Sequence, residues 1–123
     1  MAVVDLMDIV AQRKAHIEEN CCDVRAEEIY FSGESWIWCL LTIRDDASGE
    51  ALEYDFIETE DSWKRPDAVL EYNEAAYEQV EVVVIVPDSS FEETVELVTR
   101  AGYLGIFISD YSAMALAPRV LVS

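Results

Sequence analysis

The segment from Val82 to Asp110 constrains the fold of this chain most strongly, because it has the pattern of a strand, a helix and a second strand. Residues 82–86, VVVIV, form a continuous β-branched run, which is typical of a strand covered on both faces. Pro87 ends this run, since proline has no N–H to donate to a sheet. A right-handed crossover between parallel strands is the default for such a unit. The segment therefore predicts an α/β domain.

The helix inside this segment carries a start signal and a stop signal. Ser90 lies three residues before Glu93, which predicts a capping box. Gly102 is suited to the left-handed conformation that ends a helix, and a second strand is expected over residues 103–108. Gly102 and Gly105 follow a helix rather than a strand, so they do not predict a dinucleotide-binding loop.

The first half of the chain predicts one helix and three strands. Apolar residues at helical spacing predict a helix over residues 3–19, with its polar side chains, including Arg13, turned outward. Strands over 27–31, 35–44 and 51–57 form an expected antiparallel meander. A charged loop over 58–67, a helix over about 67–79 and a short edge strand around Met114 and Leu116 complete the prediction.

The charge of the chain is its most unusual property. Eight basic residues face 26 acidic ones, which gives a formal net charge of −18. Such a field repels nucleic acid and favours cationic partners or metal ions. Three explanations remain open: a halophilic or generally acidic proteome, a protein-binding surface, and a mimic of nucleic acid that inhibits a DNA-binding protein.

The composition indicates one soluble domain with no cofactor. A chain of 123 residues forms a single core, and its apolar runs are far shorter than the stretch of about 20 residues that spans a bilayer. We therefore expect a cytoplasmic protein. The three cysteines form no CxxC pair, and His16 is the only histidine, so neither a zinc centre nor a catalytic triad is predicted.

The predicted order of elements, α-β-β-β-α-β-α-β, resembles the core of the PD-(D/E)xK nuclease superfamily. The segments VEVVVIVP and RAGYLGIFISD look like the fourth strand, the following helix and the fifth strand of members of that superfamily. The resemblance implies a restriction-endonuclease-like α/β sandwich, with a mixed central sheet and helices on both faces. In active members, an acidic residue on the second strand and an E-x-K motif on the third bind a divalent metal ion and activate water.

This chain departs from that motif in a way that bears on function. Glu53 falls where the resemblance implies the glutamate, but Asp55 stands in the position of the lysine. Glu34 is the acidic residue nearest to the expected aspartate, and Lys64 is a candidate for a displaced lysine. A nuclease dependent on Mg²⁺ or Mn²⁺ and built on Glu34, Glu53 and Asp55 is one hypothesis. A solvated strand face carrying Glu53 and Asp55 is the simpler interpretation.

The hypothesis that we favour from the sequence is a non-catalytic, degenerate member of this fold that binds a protein partner, which is expected to be basic. Four carboxylates in and beside the charged loop are the candidate partner-binding residues: Glu58, Glu60, Asp61 and Asp67. Direct binding of nucleic acid and of membranes is not expected. The hydrophobic strand over 36–43 leaves room for a homodimer, although burial in a core explains it equally well.

Overall fold

The computed structural model describes residues 2–33, 35–102, 105–118 and 120–122, and the side chains of 5–33, 35–102 and 105–118. Short 3₁₀ turns at Ser62–Lys64 and Asp88–Ser90 precede the second and third helices. The helices and strands in chain order are β1 (Ala2–Val4), α1 (Leu6–Asn20), β2 (Val24–Ser32), β3 (Ile37–Asp45), β4 (Ala51–Ile57), α2 (Ala68–Ala76), β5 (Glu81–Val86), α3 (Phe91–Ala101), β6 (Ile106–Asp110) and β7 (Val120–Val122).

The central sheet has five strands in the order β2-β3-β4-β5-β6. Strands β2, β3 and β4 pair antiparallel, which confirms the predicted meander. The β4–β5 and β5–β6 pairs are parallel, as the strand-helix-strand pattern predicts. The sheet is therefore mixed. Strands β1 and β7 pair antiparallel in a separate two-stranded ribbon.

Helices cover both faces of this sheet, and β5 contributes alternate residues to the two cores. Val83 and Ile85 pack on the α1 side, while Val82, Val84 and Val86 pack on the side of α2 and α3. The α1 core also contains Leu6, Ile9, Val10, Ile17, Cys39, Leu41, Ile43 and Ile57. The second core also contains Phe56, Trp63, Ala68, Tyr72, Ala75 and Val98. The predicted α/β class, with a mixed sheet between two layers of helices, is confirmed.

Several predicted boundaries are wrong at the ends of the chain. Residues 3–4 belong to β1 rather than to the first helix, which begins at Leu6 after Asp5 accepts a hydrogen bond from the Asp8 N–H over 3.2 Å. Met114 lies in a turn and Leu116 packs into the α1 core, so the edge strand predicted there is absent; the strand of this region is β7. Strand β6 covers 106–110, and part of the range predicted for it, 103–104, lies outside the described residues.

Of the two sequence signals predicted at the ends of α3, the stop signal is confirmed and the start signal is wrong. Gly102 adopts the left-handed conformation with φ 77°, as predicted. Ser90 makes no capping hydrogen bond, so the predicted capping box is wrong. The residue is the last of a 3₁₀ turn and has φ −102° and ψ −5°, which is not the extended conformation of a capping residue. None of the helices in the described part of the chain has the length and apolar character of a membrane span.

Candidate functional site

Glu53 and Asp55 lie on the face of β4 that points toward α1, where both contact Arg13. Arg13 Nε donates to Asp55 Oδ2 over 2.7 Å, and Arg13 Nη2 donates to Glu53 Oε2 over 3.2 Å. The Asp55 side chain is fully buried, and those of Arg13 and Glu53 are 16% and 19% exposed. The interpretation of the pair as a solvated strand face is therefore wrong. We call these three residues the Arg13 triad.

One carboxylate oxygen of the Arg13 triad is left without a hydrogen-bond donor among the described residues. Asp55 Oδ1 is buried and accepts no hydrogen bond among the described residues. Burial raises the pKa of Glu53 to about 8, and the neighbouring Asp55 adds to the effect through its negative charge and by accepting a hydrogen bond from the protonated form of Glu53, although Arg13 opposes it. A Glu53 carboxyl that keeps its proton at neutral pH can donate to the neighbouring carboxylate. The two carboxyl groups also contact one guanidinium, that of Arg13.

A pocket of about 340 Å³ adjoins the triad at the amino-terminal ends of β4 and β5. Its lining includes Arg13, His16, Glu53 and Glu81, and Glu53 and Glu81 are partners in the β4–β5 pairing. In the described part of the chain, no group of three or more histidine, cysteine, aspartate or glutamate residues is arranged to hold a metal ion. The pocket lining combines these polar groups with the aliphatic side chains of Ile17, Val24, Ile43 and Leu52, and its described carboxylates do not form a metal centre.

Of the other residues predicted for the nuclease site, the structure describes Lys64, which does not join this pair. Lys64 lies in the 3₁₀ turn beyond β4, where its Nζ is 3.1 Å from Asp61 Oδ1 and 5.2 Å from the centre of the Trp63 ring. Glu34 lies outside the described residues. The cation beside Asp55 is Arg13, which the sequence analysis placed on the outer face of the helix. That prediction for Arg13 is wrong, because the side chain faces the sheet.

A second buried charge lies at the carboxyl end of β4. Glu58 is fully buried, and its Oε1 accepts hydrogen bonds from Ser62 Oγ at 2.6 Å and from Arg65 Nη1 at 2.7 Å. Its Oε2 accepts from Tyr72 Oη at 2.6 Å. Arg65 also binds Glu71, with Nη2 at 2.8 Å from Oε1. We call Glu58, Ser62, Arg65, Glu71 and Tyr72 the Glu58 cluster.

The burial of Glu58 in this cluster shows that one of the four predicted partner-binding carboxylates is wrong. Glu58 cannot contact a partner in this fold, because every part of its side chain is buried. Glu60, Asp61 and Asp67 are exposed, as expected for a binding surface. Asp61 is partly neutralised by Lys64. The loop therefore presents three surface carboxylates rather than four.

A groove that the sequence analysis did not predict opens on the face of the sheet opposite α1. It has a volume of about 490 Å³. Its floor is formed by Phe31, Leu40, Thr42, Arg44, Tyr54 and Phe56, and its wall is formed by Glu71, Glu74, Ala75 and Glu78. We call this the open groove. Glu71 belongs both to its wall and to the Glu58 cluster.

Comparisons with protein-family models, with curated proteins and with solved structures found no match to this chain. The fold and the two buried clusters are therefore the basis for any functional conclusion. They define the chain as an acidic α/β domain with a mixed five-stranded sheet.

Proposed function

We propose that this chain is a non-catalytic domain that binds a basic protein partner. The observation that carries the proposal is the position of Arg13 between Glu53 and Asp55. Divalent cations such as Mg²⁺ need carboxylate oxygens that are not already neutralised. Here the Arg13 guanidinium binds one oxygen of each carboxyl group, so Arg13 occupies the place of a metal cation beside Glu53 and Asp55.

The charge of the chain supports a basic partner. With a net charge of −18, the domain attracts cationic surfaces over the distance of the Debye length and repels the phosphates of nucleic acid. The exposed carboxylates Glu60, Asp61 and Asp67 contribute to this field near the carboxyl ends of the parallel strands. A nuclease would need the opposite sign of charge around its substrate channel.

The mixed sheet with helices on both faces supports a place in the restriction-endonuclease-like class, as a member whose catalytic motif has degenerated. In this interpretation Asp55 replaces the catalytic lysine, and Arg13 compensates the charge of the extra carboxylate. The arginine then has a structural role, because its two hydrogen bonds hold α1 against β4.

Binding of the full chain to poly-L-lysine, measured by calorimetry at about 0.05 M and 0.5 M NaCl, tests the sign of the partner's charge. We expect binding at low salt that weakens by at least roughly tenfold at high salt, because screening reduces the attraction between exposed charges. Poly-L-glutamate and duplex DNA are the controls and should not bind. Binding of DNA, or binding of poly-L-lysine that is insensitive to salt, would contradict the proposal.

A further inference from the structure

The sheet face that carries the open groove is only partly covered. Helices α2 and α3 pack over β4, β5 and β6, and their core reaches Leu40 of β3. The Arg65 guanidinium lies 3.7 Å from the ring centre of Trp38, also on β3, whereas the residues of β2 on this face are exposed. Two large apolar side chains of β2 on that face remain in contact with solvent, Ile29 at 53% and Phe31 at 39% exposure. Phe31 stacks on Trp38 of β3, with ring centres 5.5 Å apart. The floor of the groove therefore exposes aromatic and aliphatic side chains to solvent.

The wall of the groove is a row of carboxylates on one side of α2. The wall contains Glu71 and Glu74 of α2 and Glu78 of the turn that follows it. Their spacings of three and four residues place them along one side of the helix and turn, over about 10 Å. Glu71 is bound by Arg65. Glu74 has no ion pair among the described residues, and Glu78 lies beside Tyr54, whose pKa is raised by burial and by the Glu78 charge. Glu74 and Glu78 thus have no neutralising cation among the described residues, although a hydrogen bond links Glu78 to Tyr54.

Arg44, the cation in the described lining of the groove, pairs with groups on the strand side and not with Glu74 or Glu78. Arg44 Nη1 donates to the Gly49 carbonyl over 3.1 Å, and Arg44 Nε lies 3.4 Å from Glu27 Oε1. Both partners belong to the strand side of the groove rather than to α2. The groove thus combines a largely apolar floor with a wall on which Glu71 is paired with Arg65, while Glu74 and Glu78 are exposed.

We propose that the open groove binds a cationic amphipathic helix of the basic partner, so this inference rests on the proposed function. A helix of this kind places its apolar face on Ile29, Phe31 and Leu40, in the same layer as α2 and α3. Lysine or arginine side chains at spacings of three and four residues then face Glu74 and Glu78. A second copy of this chain fits poorly, because each copy carries a charge of −18.

The test uses the full chain and three fluorescent peptides, each about four helical turns long. The first has leucine at positions i, i+3, i+4 and i+7 and lysine elsewhere. The second has the same composition in a scrambled order without an apolar face, and the third has glutamate in place of every lysine. Fluorescence anisotropy should show binding of the first peptide, at least roughly tenfold weaker binding of the second and no binding of the third. Equal binding of the first two peptides would overturn the inference of a helix.

Charge-reversal variants locate the site. Glu74→Lys with Glu78→Lys should weaken binding of the first peptide by about tenfold or more, because two attractive contacts become repulsive. Glu18→Lys with Glu19→Lys makes the same change in net charge on exposed positions of α1, which packs on the other sheet face, and should weaken binding by less than about threefold. Circular dichroism and urea unfolding check that both variants fold.

The outcomes separate this inference from the proposed function. If both double variants weaken binding equally, the groove is not the site, but a basic partner remains supported. If the first peptide fails to bind while poly-L-lysine binds, the inference fails alone. If neither cationic probe binds, the proposed function fails and the inference fails with it.

Discussion

Arg13 Nε and Asp55 Oδ2 are 2.7 Å apart, so a hydrogen-bonded ion pair joins α1 to β4 across 42 positions of sequence. Asp55 is fully buried, and Arg13 is the cation that faces it. A buried charge whose partner is removed destabilises a protein strongly, even where the intact pair contributes little. The stability of the domain should therefore depend on this contact.

Arg13→Met should lower the free energy of unfolding by about 3 kcal/mol, because it leaves two carboxyl groups in a poorly solvated position without a cation. Urea denaturation monitored by circular dichroism measures this change. Lys14→Ala is the matched control: Lys14 is the next residue of α1, and its bridge to Glu28 is more exposed. The control should lose less than about 1 kcal/mol. A loss from Arg13→Met that is no larger than the loss from the control would contradict a structural role for Arg13.

The raised pKa of the Glu53 carboxyl should make stability depend on pH. The pKa of Glu53 rises from an ordinary value of 4.5 to about 8 on folding. Between these values the folded state holds a proton that the unfolded state has released, so stability from this group falls as pH rises, by at most roughly 1.4 kcal/mol per pH unit. Above about pH 8 the decline ends, because both states have then released the proton.

Glu53→Gln tests this dependence, since the amide is neutral at every pH and retains a donor beside the Asp55 carboxylate. His16 and Glu81, which line the same pocket, are unchanged in the variant, so the comparison isolates the change at residue 53. Urea midpoints between about pH 5 and pH 9 should fall more steeply for the wild-type chain than for the variant. Parallel curves would show that Glu53 holds no extra proton in the folded state.

The Glu58 cluster should stabilise the carboxyl end of β4. Tyr72→Phe removes the hydroxyl that donates to Glu58 Oε2 over 2.6 Å, and we expect a loss of roughly 1.5–3 kcal/mol, because the acceptor is a charged group. Tyr77→Phe, one helical position beyond α2 and 79% exposed, is the control and should change stability by less than about 0.5 kcal/mol. Thermal and urea unfolding measure both. Equal stability of the two variants would mean that this hydrogen bond does not stabilise the fold.

Local pattern was sufficient to predict the centre of the fold. The alternation of residues 51–57 predicted β4 with its observed bounds, and the β-branched run before Pro87 predicted a strand that contributes to both cores. The glycine at 102 predicted the end of α3 because a residue without Cβ adopts positive φ at little cost. These features depend on neighbouring residues alone.

The candidate sites could not be predicted in the same way, because they depend on contacts distant in sequence. Arg13 occupies a polar position of an amphipathic helix, and nothing near it in sequence indicates that two carboxylates 40 and 42 residues away will face it. Strands β1 and β7 pair residues from opposite ends of the chain, and each strand has only three residues. The burial of Glu58 likewise depends on Arg65 and Tyr72 folding over it.

The most direct test of the central claim is incubation of the purified chain with duplex DNA, single-stranded DNA and RNA in Mg²⁺ or Mn²⁺. The account predicts no cleavage above the background of a Glu53→Ala preparation, because Arg13 already binds the carboxyl pair that a nuclease would use for its metal. Cleavage by the wild-type chain that Glu53→Ala abolishes would contradict the account and support the metal-dependent nuclease instead.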